Sequence, residues 1–296
     1  MNIIERILPV FQKNYPIEVR DGLWDYCMSL AIECELNEAN LENMGATNLT
    51  VGFAGDGGEL EIVRLAEALG VFGTPNTNNL PPDEILDTIQ TVLPFQINFP
   101  PFSGNVPHGL QTKYGVASNR HIFYLWVLKR IMELCPDKNS SIIEIGAGFG
   151  LLGYYLDKAG YRDYTAIDLA LVNACQTYFL ARNLPDRNII ISGDVGDPFD
   201  PQYRDSIKLL HSTDFKSIPK NRFALMVNMD GLTEYGIEQA TKYVRSDCSP
   251  VLFSINHEVN SFRVCDIAKP FRRQTSRCHF LLRDGYVEEL YAGVNT

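Results

Sequence analysis

The 296-residue chain has no Lys/Arg run longer than two, no Cys-x-x-Cys pair, no internal repeat and no low-complexity tract. It also lacks any apolar stretch approaching the ~20 residues that a membrane span needs. Each absence removes a class. The formal net charge is −10, and without a basic stripe the chain is not expected to bind DNA or RNA. The acidic balance favours a neutral or cationic ligand over a polyanion. Seven cysteines (Cys27, Cys34, Cys135, Cys175, Cys248, Cys265 and Cys278) are scattered and odd in number. They read as reduced thiols of a cytoplasmic protein, not as a disulfide framework or a zinc site. Met1 to Arg20 carries too many polar interruptions for a signal peptide, and no membrane insertion is expected. A homo-oligomer stays open.

What is present is an ordinary globular composition, 45% hydrophobic and 21% charged, in two patterns that meet near residue 138. Before it, apolar residues recur at helical spacing over about 21–37, 59–70, 83–93 and 118–135, and Pro81-Pro82 suits the start of the third of these. A Pro/Gly/Asn-rich stretch from Phe95 to Val116 is long for a passive connector and reads as a binding loop or lid. After residue 138, strands at 142–145, 163–167, 188–192, 223–228 and 251–255 alternate with helices at 150–159, 170–182 and 235–245. A terminal hairpin is expected at 278–283 and 286–292. Such alternation predicts a parallel sheet covered by helices, with ligands at the carboxyl ends of the strands.

The densest signal is Ser141-Ile142-Ile143-Glu144-Ile145-Gly146-Ala147-Gly148-Phe149-Gly150, with an apolar stretch from Leu151 following at once. A β-branched run passing through alternating glycines into a helix is the sequence form of a turn beneath a nucleoside. Two registers overlap. Gly146-x-Gly148-x-Gly150 follows the strand directly, with Glu144 inside it. Gly148-x-Gly150-x-x-Gly153 matches the dinucleotide fingerprint but starts two residues late. Asp168, closing the next strand, could accept ribose hydroxyls of either cofactor. Asp194, closing the strand at 188–192, could receive an adenine amino group. Together they favour S-adenosylmethionine over NAD, with Glu144, Gly146, Gly148, Gly150, Asp168, Asp194 and Asn228 on the cofactor side. An NAD-linked oxidoreductase or epimerase and a non-catalytic binding module remain the competing readings.

Two strand ends carry the candidate chemistry: Asn228-Met229-Asp230-Gly231-Leu232-Thr233-Glu234 and Asn256-His257-Glu258. Methyl transfer to an alcohol needs a base, and His257 titrates nearest neutral pH. It is the first choice, with Asp230 or Glu258 orienting the ring. Alternatively, Asp230, Asn256 and Glu258 could hold Mg²⁺ through hard oxygen ligands. Tyr114, Arg120 and His121 could reach the acceptor or an acidic substituent on it. Arg272 and Arg273 read as solvating a surface turn.

These segments resemble the sugar O-methyltransferase family, a branch of the class I S-adenosylmethionine-dependent enzymes. The narrowest matches are Asp168-Leu169-Ala170-Leu171-Val172-Asn173-Ala174 and Ile255-Asn256-His257-Glu258, within about 140–260. The resemblance implies an α/β fold: a Rossmann-like class I methyltransferase sheet with helices on both faces, preceded by a mainly helical N-terminal region. Residues 1–137 would be a helical region and substrate lid, and 138–296 the cofactor-binding domain. It also implies methylation of a sugar hydroxyl in a polysaccharide or natural-product glycan. Glu144, Gly146, Gly148 and Asp168 would lie on the cofactor, and Asp230, Glu234, His257 and Glu258 would face the acceptor. Ala170 and Gly231 depart from the family pattern, where proline and serine are usual.

Overall fold

The computed structural model describes residues 3–17, 23–51, 55–71, 80–106 and 108–293. The N-terminal part contains α1 (Ile3–Asn14), α2 (Leu23–Ile32), α3 (Glu38–Glu42), α4 (Glu59–Ala68) and α5 (Pro82–Gln90). A hairpin of β1 (Leu110–Thr112) and β2 (Gly115–Ala117) leads into α6 (Asn119–Leu134). Residues 21 and 22 of the helix expected at 21–37 lie outside the described residues. The remainder breaks after Ile32, and α3 restarts where the Asn37 side chain accepts the Asn40 N–H at 2.9 Å. Proline occupies the first turn of α5, as its fixed φ favours.

The second part runs β3 (Ile142–Ile145), α7 (Leu151–Lys158), β4 (Tyr164–Asp168), α8 (Ala170–Asn183), β5 (Ile189–Ile191), β6 (Ile207–His211), β7 (Leu225–Met229), α9 (Ile237–Arg245), β8 (Val251–His257), α10 (Val264–Ala268), β9 (Arg273–His279) and β10 (Tyr286–Ala292). The strands form one eight-stranded sheet in the order β5-β6-β4-β3-β7-β8-β10-β9. The six from β5 to β8 are parallel, and β10 runs antiparallel between β8 and β9. This is a Rossmann-like α/β sheet with a helical N-terminal region.

Apolar residues pack on both faces of the sheet. One core joins α6, α7 and α8 to buried side chains of the N-terminal helices; the other lies under α9 and α10. Thus α6, though before residue 138, packs against α7 as one of the sheet's own covering helices. Helix α8 is buried nearly all round, a pattern that requires a second cover. That cover is α1, which lies against α8.

Three features differ from expectation. Strand β6 was not anticipated because Lys208 interrupts its apolar run; the lysine is buried and donates to Asp163 at 2.9 Å. Strand β9 begins at Arg273 and is mostly exposed, as suits an edge strand rich in polar residues. Arg272 is not on a surface turn but almost wholly buried. It donates to the carbonyls of Val244, Ser246 and Ser249, closing the carboxyl end of α9. All seven cysteines are unpaired. Among the described residues no helix is long and apolar enough to cross a membrane.

Candidate active site

From β3 the chain steps to β4 on one side and later to β7 on the other. The crevice above this reversal, at the carboxyl ends of the strands, is where open α/β sheets bind ligands. A cleft lies there, lined by Gly146, Gly148, Asp168, Asp230, Gly231 and Glu234 among others.

Its floor is the glycine turn. Gly146, Gly148 and Gly150 have φ of +72°, +53° and +89°, which L side chains avoid. A Cβ on Gly146 would stand 2.9 Å from the Tyr235 hydroxyl. Gly150 opens α7 as its left-handed cap, and the Gly146 N–H donates to the Ile167 carbonyl at 2.9 Å. Gly153 faces away from the ligand side: its Cβ would meet the Tyr164 ring at 2.8 Å. That is the helix–strand packing role of the last glycine in the dinucleotide fingerprint, so Gly153 does not separate the two cofactor readings.

Asp168 closes β4 beside the turn. Its carboxylate accepts the Leu169 N–H (2.8 Å), the Gly148 N–H (3.1 Å) and the Gln176 amide (2.9 Å). Burial outweighs these donors and lifts its pKa to about 7. Glu144 lies under the turn, not on the cleft. It accepts from Tyr124 at 3.0 Å and from Tyr164, and burial lifts its pKa to about 8.

These raised values carry a stability prediction. A carboxyl whose folded pKa exceeds its unfolded one keeps its proton longer in the native state. Stability is therefore greatest below the ordinary carboxylate range and falls as pH rises through about 7 to 8. The melting temperature is expected to drop by several degrees between pH 6 and pH 9 (roughly the interval over which such carboxyls ionise). Glu144→Gln, read by calorimetry at each pH, should remove much of that drop. An equal drop in the variant would contradict the assignment.

The opposite wall is built on Asp230, just past β7. Its φ of +63° is a conformation that aspartate tolerates better than most residues. The carboxylate takes Arg120 Nη1 at 2.9 Å, Arg283 Nη1 at 2.6 Å and the Tyr286 hydroxyl at 2.5 Å. Burial acts to raise its pKa, but Arg120 and Arg283 hold it below the usual range. Glu234, one short turn further on, accepts the Trp24 indole N–H at 3.0 Å. Burial and the charge of Asp230 push its pKa to about 7 despite both arginines.

Other expected site residues have different places. Asn228 holds the turn from below: its amide donates to the Ile145 carbonyl (2.7 Å) and its oxygen accepts from Leu232 N–H and Asn256. Asp194 is separated from β4 by the intervening β6 and pairs with Arg6. The residues past the strand that does flank β4 are Ser212 to Asp214. Tyr114 bonds Asp87 at 2.6 Å, away from the cleft. His121 is buried as part of the cap of α6, bonded to Ser118 at 2.8 Å and 2.9 Å, and burial lowers its pKa to about 3. His257 is not among the cleft-lining residues. Its ring packs edge-on against Tyr286 at 4.9 Å and its Nδ1 accepts the Val259 N–H.

The expected metal ligands do not converge. Glu258 pairs with Arg277, Asp230 with two arginines, and the Asn256 amide bonds Asn228 and Ser254. Among the described residues no group of His, Cys, Asp and Glu is arranged to hold a metal ion. Tyr286 stands against both Asp230, through its hydroxyl, and His257, through its ring.

Trp24, Tyr235, Arg283 and Tyr286 were not anticipated. Trp24 reads as one apolar position of a helix, and nothing in spacing ties Arg283 in a terminal turn to a strand end some fifty residues earlier.

No protein-family model matches the chain, and no curated protein does. Among solved structures, PH0226 protein from Pyrococcus horikoshii OT3 is 9% identical, with 60% of this chain and 92% of that chain covered and a TM-score of 0.43. Magnesium protoporphyrin IX methyltransferase (ChlM) from Synechocystis PCC 6803 with bound SAM is 11% identical, covering 60% and 80% at 0.40. A SAM dependent methyltransferase from Aquifex aeolicus is 16% identical, covering 56% and 88% at 0.40. With scores and identities this low, the likeness carries no functional weight.

Proposed function

We propose that the chain is an S-adenosylmethionine-dependent O-methyltransferase acting on a sugar hydroxyl. One observation carries this reading. A left-handed glycine turn and a ribose-competent aspartate sit on one side of a switch-point cleft, and a carboxyl tuned to about neutral pH, Glu234, sits on the other. The sheet supports it as well: the reversed strand β10, inserted between β8 and the edge strand β9, departs from the all-parallel 3-2-1-4-5-6 order of the dinucleotide-binding fold.

The residues present fit the cofactor. Gly146 and Gly148 line the cleft with left-handed backbone that carries no side chain, and Asp168 would take the ribose hydroxyls. When bound, S-adenosylmethionine supplies an electrophilic methyl whose sulfur departs as a neutral thioether. The chain's own part is to align and to move a proton. Glu234, ionised, would accept the proton of the acceptor hydroxyl. Trp24, donating to Glu234, fixes the carboxylate and shields it from water. Arg120 and Asp230 form the wall against which the acceptor rests. In this reading Glu234 takes the place of His257 as base.

The test is a panel of free sugars, sugar nucleotides and glycosides with a labelled methyl donor, read by product mass. A product heavier by one methyl on a sugar supports the reading. Transfer to none of them, from protein that binds the donor, overturns the sugar assignment.

A further inference from the structure

A second cavity lies on the face of the sheet that α9 covers. It is a groove of about 680 Å³ between the segment that follows β6 and α9 itself, within the ~300–1,000 Å³ range of small-molecule sites. Lys216 stands on the first wall, and Lys242 and Arg245 stand on the second. The two on α9 are three residues apart and so share one face of the helix. All three side chains are exposed, and among the described residues none of them pairs with a carboxylate. The one acidic residue on the lining, Asp247, is taken up by Lys220 at 2.6 Å. In a chain of net charge −10, three uncompensated cations facing one groove call for a reason.

The helix dipole alone does not supply it. Lys242 and Arg245 lie in the last turn of α9, where cations are favoured. That end is already closed by Arg272, which donates to the carbonyls of Val244, Ser246 and Ser249, and the dipole does not account for Lys216 on the other wall. The walls are also held in register. Phe215 packs edge-on against Tyr243 of α9 with ring centroids 4.7 Å apart, and the Ser217 hydroxyl donates to the Asp214 carbonyl at 2.6 Å, closing the turn that bears Lys216. The Arg245 guanidinium lies 5.9 Å from the Phe271 ring centroid. Phe215 and Ile218, both partly buried, give the groove an apolar floor.

We propose that this groove binds a small diphosphate-bearing anion, held between Lys216 on one wall and Lys242 and Arg245 on the other. A diphosphate spreads its negative charge over two phosphoryl groups, which suits cations on two facing walls, and its oxygens accept charge-assisted hydrogen bonds from ammonium and guanidinium alike. A single carboxylate would leave one wall unanswered. The groove shares no lining residue with the cleft below Asp230, so this site stands apart from the methyl-transfer reading.

Calorimetric titration of the full chain with inorganic pyrophosphate tests this, with orthophosphate and ADP alongside. Saturable binding of pyrophosphate is expected below ~1 mM and at least ~10-fold tighter than that of orthophosphate. Lys216→Glu and Lys242→Glu should each weaken it by at least ~10-fold. Lys158→Glu, an equal change of charge at an exposed position of α7 on the other face of the sheet, should leave it nearly unchanged. ADP binding more tightly than pyrophosphate supports a nucleoside diphosphate as the source, and ADP binding no more tightly supports the diphosphate group alone. Saturating S-adenosylmethionine should not displace pyrophosphate; displacement would put the anion in the cleft and overturn the proposal. Equal losses in Lys158→Glu and Lys242→Glu overturn it as well, and so does the lack of saturable binding to the wild-type chain, a result that needs no variant. Polyglutamate binding more tightly than pyrophosphate overturns the small anion in favour of an acidic protein segment.

Discussion

Glu234→Gln is expected to lose at least ~10²-fold in turnover, the range for removal of a general base, while binding the cofactor as the wild type does. The amide keeps the shape of the side chain and can still accept the Trp24 indole N–H, but it cannot take a proton. The pH profile gives a sharper sign. Only the ionised carboxylate is a base, so the wild-type rate should rise with pH through about 7 and then level off. The residual rate of the variant should lack that rise. His257→Ala should leave most turnover in place, because His257 packs behind Tyr286 and is not among the residues lining the cleft. If His257→Ala were the crippled variant and Glu234→Gln the active one, the roles argued for the two residues would be reversed.

Gly146→Val should abolish cofactor binding or weaken it by at least ~10²-fold. The backbone there has φ of +72°, and the left-handed conformation costs an ordinary L-residue roughly 1–2 kcal/mol, more when β-branched. The new Cβ would also approach the Tyr235 hydroxyl at 2.9 Å. The turn must open, or Tyr235 must leave, and either change displaces the floor on which the cofactor would lie. Gly153→Ala is the matched control. Its Cβ would press on the Tyr164 ring, so its effect belongs in thermal stability more than in affinity. Equal affinity losses in the two variants, measured on folded protein, would deny the turn its special role.

The Rossmann-like sheet could be read from the sequence because its parallel strands are buried on both faces and stand out as apolar runs. Strands β3, β4, β7 and β8 lie within two residues of where those runs place them. Legibility failed where polar groups enter the sheet: Lys208 concealed β6, and the polar edge strand β9 was placed too late. The loss of β6 had a consequence for the site. It made Asp194 look like the end of the strand next to β4, when β5 is in fact the edge strand. Strand ends are visible in a sequence, but the direction of a side chain at a strand end is not. Asp230 turns into the cleft through a left-handed φ, whereas Glu258 turns out to Arg277. Asn228 looked like a ligand-facing polar residue and is a crosslink between two strand ends. Trp24 reaches the cleft and Arg283 reaches the Asp230 carboxylate from distant segments, a proximity that only the fold creates.

Calorimetric titration of the full chain with S-adenosylmethionine, and separately with NAD, tests the central claim most directly. The glycine turn with Asp168 beside it predicts micromolar binding of S-adenosylmethionine and of its demethylated product, and no heat from NAD. Micromolar binding of NAD with no response to either sulfur compound would contradict it.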